Sequence, residues 1–212
     1  MKKSILTLTL CFPLFYIAQS EEKLTEITPI EVTDRLTIPG PITFGGNEFF
    51  LVWSKQNSTT WAQQQYIQRD DDINNFKELI NISYFDKEID MDDAAKAKVK
   101  YVESRKEKSQ DKYSFVSVTE SPDGKEMVVD YLITATPKDG ESYAEYSMDR
   151  FKSYDNGGKK SFVIFTYAKR LVGDLKYSSK SLTKERSRLM EAIITTQIPN
   201  VTYKPTEVEK KK

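Results

Sequence analysis

Three turn signals in the second half of the chain constrain its fold more than any other feature. They are Ser121-Pro122-Asp123-Gly124, Lys138-Asp139-Gly140 and Asp155-Asn156-Gly157-Gly158, whose residue types suit tight turns. Between them, the segments either alternate apolar and polar residues or are apolar on both faces, as strands are. The pattern predicts a four-strand antiparallel meander, with strands at 113–119, 126–136, 143–154 and 161–168. The third of these strands alternates only weakly, which predicts that it is half-exposed.

A hairpin is predicted ahead of the meander. The apolar run at 49–53 predicts a buried strand, and residues 61–67 predict a second strand after a short loop. The acidic segment 70–72 then suits the cap of a short helix at 73–76. Apolar residues at 79–85 fit either a strand or the end of that helix, and their periodicity leaves both open.

Two amphipathic helices complete the layout. Residues 90–108 begin with aspartates, end with lysine and arginine, and carry an apolar stripe of Met91, Ala95, Val99 and Val102. Residues 182–197 predict a closing helix, with Ser181 as its N-cap. One side of that helix consists of Leu182, Arg186, Leu189, Met190 and Ile193. The order of hairpin, helix, four-strand meander and C-terminal helix predicts an α+β fold, with helices packed on an antiparallel sheet of about six strands.

The first twenty residues are typical of a secretory signal peptide. A positive start is followed by a mostly apolar segment at 5–18 and by small residues before a cleavage site after Ser20. We therefore predict a signal peptide at 1–20, an extended lead-in at 21–41, one domain at 42–198 and a disordered charged tail at 199–212. Cleavage leaves no transmembrane segment. The alternatives are a retained membrane anchor, for which the apolar run is short, and a lipoprotein attached at Cys11.

Histidine is absent from the chain, and Cys11, within the predicted signal peptide, is its only cysteine. The mature chain therefore has no disulfide, thiolate nucleophile, zinc finger or histidine general base. Basic and acidic residues balance at 32 each, which disfavours a dedicated nucleic-acid binder because such proteins carry a basic face. The export signal and the lysine-rich composition indicate a bacterial periplasmic or secreted protein.

Carboxylates are the remaining acid–base and metal-binding groups. The acidic groups at 70–72 and 90–93 lack the spacing of ligands, glycine and glutamate found in a calcium loop. A glycosidase pair, such as Glu78 with Glu145, depends on a separation that the sequence does not fix. We predict no catalytic residue, no metal site and no cofactor.

The early strands are followed by an acidic link, the string Asn75-Phe76-Lys77-Glu78-Leu79-Ile80, a helix, a meander and a terminal helix. In this order of elements, over residues 42–198, the chain resembles small Mog1/PsbP-like proteins. That resemblance implies an α/β/α sandwich built on an antiparallel sheet, and a role as an adaptor or assembly factor rather than as an enzyme. It transfers no functional residue to this chain.

Trp61 and Tyr66 are the residues that most favour a partner surface. Both lie in a segment where aromatic residues flank uncharged amides. On a strand, Trp61 shares one face with Gln63 and Gln65, whereas Tyr66 lies on the other face. One of the two aromatic side chains therefore points away from the core, unless both faces are covered. We predict that the exposed one contacts a partner; core packing is the alternative.

These observations predict an exported bacterial envelope protein, most simply a non-enzymatic module that binds or helps to assemble an unidentified protein or glycan. Predicted strands that are apolar on both faces account for most apolar residues, and no acid–base pair stands out. A carboxylate-based glycan hydrolase is one alternative, and an inhibitor or immunity-type protein is another. A hydrolase needs a concave site with converging carboxylates, at least one of raised pKa, whereas a module needs only an exposed aromatic patch.

Overall fold

Eight β-strands pair into one antiparallel sheet in the computed structural model, which describes residues 32–109, 111–156 and 159–205. The strands are β1 (Ile42–Phe44), β2 (Asn47–Ser58), β3 (Trp61–Ile67), β4 (Glu78–Phe85), β5 (Phe115–Glu120), β6 (Glu126–Ala135), β7 (Tyr143–Asn156) and β8 (Lys159–Val172). Their order across the sheet is β1, β2, β3, β4, β8, β7, β6 and β5, and the sheet curves into a half-barrel. Neighbours in sequence pair within β1–β4 and within β5–β8, and the β4–β8 pair joins these halves.

Three helices accompany the sheet in the described part of the chain. They are α1 (Met91–Ser109), α2 (Leu175–Lys184) and α3 (Arg186–Thr195). The Asp174 side chain caps α2 by accepting a hydrogen bond from the backbone N–H of Tyr177, at 2.8 Å. Helix α3 begins after the single residue Glu185. The predicted single helix at 182–197 with Ser181 as its N-cap is therefore wrong.

The predicted fold class is also wrong. An α+β domain of about six strands with helices packed on the sheet does not describe a chain that is mostly an eight-stranded antiparallel half-barrel with three helices in its described part. The prediction lacked β1, and it left residues 79–85, which form most of β4, open between a strand and the end of a helix. Strand β1 has only three residues, and it follows a segment rich in proline. Strand β4 is largely buried on both faces, and its apolar residues directly follow the segment predicted as a short helix, so the sequence left its structure open.

Two local predictions are corrected as well. Residues 73–75 form bends rather than a short helix. Strand β7, predicted to be half-exposed, lies between β6 and β8, and residues 146–151 along its middle are buried. Its sequence suggests exposure because it carries charged residues such as Asp149 and Arg150, but both form ion pairs inside the protein.

Apolar residues pack on both faces of the sheet. The larger core cluster lies on the face that α2 and α3 contact, where Tyr66 and Phe165 of the sheet lie in the same cluster as Leu189 of α3. The opposite face carries a smaller cluster, which includes Ala95 of α1 and Val129 of β6. Strand residues supply most of both clusters, so the sheet provides most of the core. Helix α1 contacts mainly β5, β6 and β7 on this second face.

Arg150 of β7 connects the sheet to the end of α3. Its guanidinium donates to the backbone oxygens of Ile193 and Thr196, at 2.8 and 2.7 Å, which are carbonyls that the end of a helix leaves unpaired. The same guanidinium forms an ion pair with Glu126 of β6, and Lys152 adds a second ion pair at 2.8 Å. The carboxylate of Glu126 therefore stabilises the side chain that holds the C-terminal end of α3.

This arrangement predicts a loss of stability in acid. Burial alone would raise the pKa of Glu126, but hydrogen bonds from Lys152 and Arg150, together with their charges, hold it below its ordinary value of 4.5. A lowered carboxyl pKa stabilises the folded state above pH 4.5, and this contribution is lost as the pH falls through the folded pKa. In urea unfolding at pH 7 and pH 3, we expect wild type to lose more stability on acidification than Glu126→Gln. Equal losses would contradict the assignment.

Several predicted segments lie outside the described residues. These are the signal peptide at 1–20, the part of the lead-in at 21–31 and the end of the tail at 206–212. The described remainder of the lead-in contributes Leu36 and Ile38 to the larger core cluster. The described start of the tail packs there too, through Val201 and Tyr203. Residues beyond both boundaries of the predicted domain at 42–198 therefore contribute to its core.

Candidate functional site

Strand β3 divides its side chains between the two faces of the sheet. Ala62 and Tyr66 belong to the larger core cluster, and Gln64 is fully buried beside them. The alternate residues, Trp61, Gln63 and Gln65, therefore point to the opposite face. Their side chains are only half-buried, because α1, which lies on this same face, contacts mainly β5, β6 and β7 and does not cover β3.

The strand register extends this polar surface across four strands. Trp61 pairs with Phe85 of β4, Gln63 with Ser83, and Gln65 with Asn81. Gln65 also pairs with Trp53 of β2, and Asn81 pairs with Thr166 of β8. Directly paired residues present their side chains on the same face. We call this surface the amide face; it consists of Trp53, Trp61, Gln63, Gln65, Asn81, Ser83, Phe85 and Thr166.

Hydrogen bonds hold the centre of the amide face in place. The Gln63 amide donates to Ser83 Oγ at 2.9 Å and accepts from Asn57 Nδ2 at 2.8 Å. Asn81 Nδ2 donates to the same serine oxygen at 3.1 Å. Ser83 is buried, so its hydroxyl oxygen is a fixed acceptor for two amides. The centre of the face is therefore ordered before any ligand arrives.

Other polar groups of the amide face have no partner among the described residues. Trp61 Nε1 and Asn81 Oδ1 are shielded from solvent and make no hydrogen bond. The Gln65 amide and the Trp53 indole N–H, which are not fully shielded, also make none within the described chain. Shielded polar atoms without partners are uncommon in native proteins, because each costs free energy. The face thus combines ordered amides with unused donors and acceptors.

Aromatic stacking fixes Trp61 at one end of the amide face. Its ring lies on Phe85, with centroids 5.5 Å apart and an interplanar angle of 14°. Phe85 contacts Phe162, which is fully buried in the smaller core cluster. The indole therefore rests on a chain of rings that leads into the core, which restricts its orientation.

Tyr66, the other residue predicted for a partner surface, is fully buried. Its hydroxyl donates to the Ile38 carbonyl at 2.7 Å and accepts from Gln64 Nε2 at 2.6 Å. Burial raises the pKa of the Tyr66 hydroxyl, although the hydrogen bond from Gln64 opposes this shift. Tyr66 joins the lead-in to the core and is removed from the candidate surface, whereas Trp61 remains in it.

An ion pair between a buried aspartate and a half-buried lysine borders the amide face beside β8. The Thr166 hydroxyl donates to Asp149 Oδ1 at 2.8 Å, and Lys98 of α1 lies 2.8 Å from Asp149 Oδ2. Burial lowers the pKa of Lys98, but the charge of Asp149, the neighbouring Tyr131 and the hydrogen bonds to both residues together leave it raised. Because each charge here faces an opposite one, the border contributes no net charge to the face.

A second candidate site is an open cleft of about 840 Å³ between the β1–β2 turn and the loop after β3. Glu48, Asp70 and Asp71 line it together with the cations Arg69 and Lys77. The carboxylate of Asp71 accepts a hydrogen bond from the backbone N–H of Lys77 at 2.7 Å, so it stabilises the loop. Charges of both signs line this cleft, and this loop contact gives Asp71 a structural role.

The glutamates considered as a glycosidase pair each face a cation. Glu78 lies 3.5 Å from Lys169, and Glu145 lies 2.8 Å from Arg170. Within the described ranges, no group of three or more acidic, histidine or cysteine side chains is arranged to hold a metal ion. No helix in the same ranges is long and apolar enough to cross a membrane.

Sequence reasoning placed Gln63 and Gln65 beside Trp61 but missed the other five of the eight residues of the amide face. Trp53 looked like part of a core strand, because it ends the strongest apolar run after the predicted signal peptide. The residues Asn81, Ser83 and Phe85 lay in a segment whose structure stayed open. Their alternation with Ile80, Ile82 and Tyr84 was the available signal, since a period of two indicates a strand.

Among the comparisons with known proteins, only the family model matches this chain. No curated protein and no solved structure matches it. None of these comparisons bears on the resemblance to Mog1/PsbP-like proteins, which stays a prediction. One family model matches residues 36–198, a range that covers most of the chain and includes the whole amide face. The chain therefore belongs to the uncharacterised protein family whose model matches these residues.

Proposed function

We propose that this protein is an exported, non-enzymatic binding module of the bacterial envelope, periplasmic or secreted, and that it binds its partner through the amide face. The observation that carries this proposal is the set of unused donors and acceptors beside the two tryptophans. Tryptophan is enriched where binding energy concentrates, and polar groups without partners favour a ligand that supplies them. The N-terminal signal sequence supports export.

The carboxyl groups with a resolved pKa shift are unsuited to serve as the acid of a hydrolase. A general acid in a glycosidase requires a carboxyl group of raised pKa. The carboxyl groups with shifted pKa values are Asp123, Glu126 and Glu185, and hydrogen bonds and nearby cations lower all three. Lowered values keep these groups ionised, which is the opposite of what proton donation at neutral pH needs.

Removing the Trp61 indole should weaken partner capture far more than it weakens the fold. We expect the immobilised Trp61→Ala variant to capture about tenfold less of its envelope partner than wild type, or less still. A loss of this size is typical of an interface hot spot. Its free energy of unfolding should fall by about 1 kcal/mol, because Trp61 is only half-buried. The measurements are quantitative capture from envelope extract and urea unfolding of the same variant.

Tyr177→Ala is the matched control, because Tyr177 is an aromatic residue of α2 that is 72% exposed and lies outside the amide face. It should capture the partner as wild type does. Equal capture by Trp61→Ala and wild type would exclude the amide face as the binding surface. A parallel loss in both variants would assign the effect to exposed aromatic residues in general.

A further inference from the structure

We infer that the ligand of the amide face is a neutral, β-linked oligosaccharide. This inference rests on the proposed function, since both use the same surface, but it adds the chemical class of the ligand. Such a sugar chain presents flat C–H faces that lie against aromatic rings, and hydroxyl groups along its edges that donate and accept hydrogen bonds. The amide face offers a counterpart to each of these features.

Charge is the first reason for this choice. All eight residues of the amide face are uncharged, and the ion pair of Lys98 and Asp149 at its border is internally neutral. Lys55 of β2, which pairs with Gln63, is exposed and can turn toward solvent. A basic ligand would lose water here without gaining an opposite charge, and an acidic one would meet only the exposed Lys55, whose ion pairs contribute little; a neutral ligand avoids that penalty.

Hydrogen bonding is the second reason. A carboxamide carries both donors and an acceptor, so one side chain can engage two hydroxyl groups. The Gln65 amide is unused by the described chain, whereas the Gln63 amide is held by Ser83 and Asn57 and cannot turn away. Trp61 Nε1 and Asn81 Oδ1 lie beside these amides as a further donor and acceptor without partners, both shielded from solvent.

The spacing of the tryptophans is the third reason. Trp53 pairs with Gln65, which lies four residues beyond Trp61 on β3. Four residues at 3.2–3.4 Å each separate the backbone positions of the two tryptophans by about 13 Å along the strand direction, with the amides between them. That span exceeds a single sugar ring and suits a short chain of linked rings, stacked at both ends and hydrogen-bonded in the middle.

A protein partner, including a second copy of this chain, fits the surface less well. The buried centre of a protein interface is apolar, and its polar groups lie mainly at the rim. The amide face has the opposite arrangement, since Gln63, Gln65 and Asn81 occupy its centre and the aromatic residues lie toward its ends. A protein that covered this face would have to place a hydrogen-bonding group opposite each central amide. A polyhydroxylated ligand carries such groups along its whole length.

The test uses the intrinsic fluorescence of the mature protein, because both tryptophans of the chain lie on the amide face. The probes are cellohexaose, which is neutral and β-linked, and an acidic oligogalacturonate of the same length. We expect cellohexaose to change the fluorescence saturably and to bind at least about tenfold more tightly than the acidic probe. Calorimetry should give the same dissociation constant.

Gln65→Leu should weaken cellohexaose binding by about tenfold, the effect of one lost polar contact of hot-spot size, with Tyr177→Ala unchanged. If Gln65→Leu does not fold, Trp53→Ala removes one stacking end of the same face and is expected to act likewise in calorimetry. Absence of binding, equal binding of the acidic probe, or wild-type affinity in the folded variant would each overturn the inference. If cellohexaose fails to bind while Trp61→Ala still loses its envelope partner, the proposed function stands and the ligand class is refuted.

Discussion

Replacing Arg186 with leucine is expected to lower the free energy of unfolding by about 3–5 kcal/mol, the cost of leaving a buried carboxylate without its cation. The carboxylate is that of Asp130 on β6, whose side chain is fully buried. Arg186 donates to both of its oxygens, at 2.7 and 2.9 Å, and the Tyr146 hydroxyl adds a third hydrogen bond at 2.9 Å. The tyrosine alone does not neutralise the charge that leucine would leave behind.

Arg188→Leu provides a matched control two residues further along α3. Arg188 is 58% exposed and pairs with Glu185, which keeps Lys169 as a second partner. Exposed ion pairs contribute about 0–1 kcal/mol, so the free energy of unfolding of this variant should be close to that of wild type. Urea unfolding of both variants at pH 7 makes the comparison. Equal destabilisation by the two substitutions would show that the Asp130 pair does not hold α3 on the sheet.

Arg186 also shows what the sequence could and could not reveal about the C-terminal region. Its spacing placed it on the same side as Leu182 and Leu189, and both leucines are buried in the larger core cluster. Periodicity thus predicted the buried side of the helical region correctly. It could not predict the break at Glu185, because helical spacing carries across a single non-helical residue. It also could not pair an arginine with Asp130, 56 residues away in sequence.

The strands show the same division between local and non-local information. Residues 61–67 form β3 as predicted, because turns and alternation are local signals. Strand β7 looked half-exposed, since its charged residues are buried only by partners on β6, α1 and α3. Strand β4 pairs with β8, more than 70 residues later, and no local pattern specifies that pairing. The eight-stranded sheet could therefore not be derived from its segments alone.

For a related reason, the sequence could predict only the part of the candidate site that lies on a single strand. A single strand shows which of its residues share a face, so Trp61 could be grouped with Gln63 and Gln65. Whether a face is covered depends on where helices and neighbouring strands lie. Only the register between strands brings Trp53 and Asn81 to the same surface. Tyr66 was indistinguishable from Trp61 until the lead-in was seen to cover its face.

Replacing Lys98 with methionine is expected to have the second large effect, again about 3–5 kcal/mol at pH 7. Lys98 lies 2.8 Å from Asp149 and also donates to the Tyr131 hydroxyl at 3.3 Å. Asp149 is 2% exposed, so methionine would leave its charge buried with only the Thr166 hydroxyl as a described partner. Lys100→Met, an exposed substitution on the same helix, should change stability by no more than about 0.5 kcal/mol.

The pH dependence of the Lys98→Met effect distinguishes a buried charge from lost packing. Without its cation, the Asp149 carboxylate would be a buried charge that faces no opposite charge. Acidification neutralises carboxylates and so removes this penalty, which means that the deficit of the variant relative to wild type should shrink as the pH falls from 7 toward 4. The double variant Lys98→Met with Asp149→Asn should likewise be more stable at pH 7 than Lys98→Met alone. A deficit that is the same at both pH values, and in the double variant, would show that Lys98 stabilises the fold through its methylene chain alone.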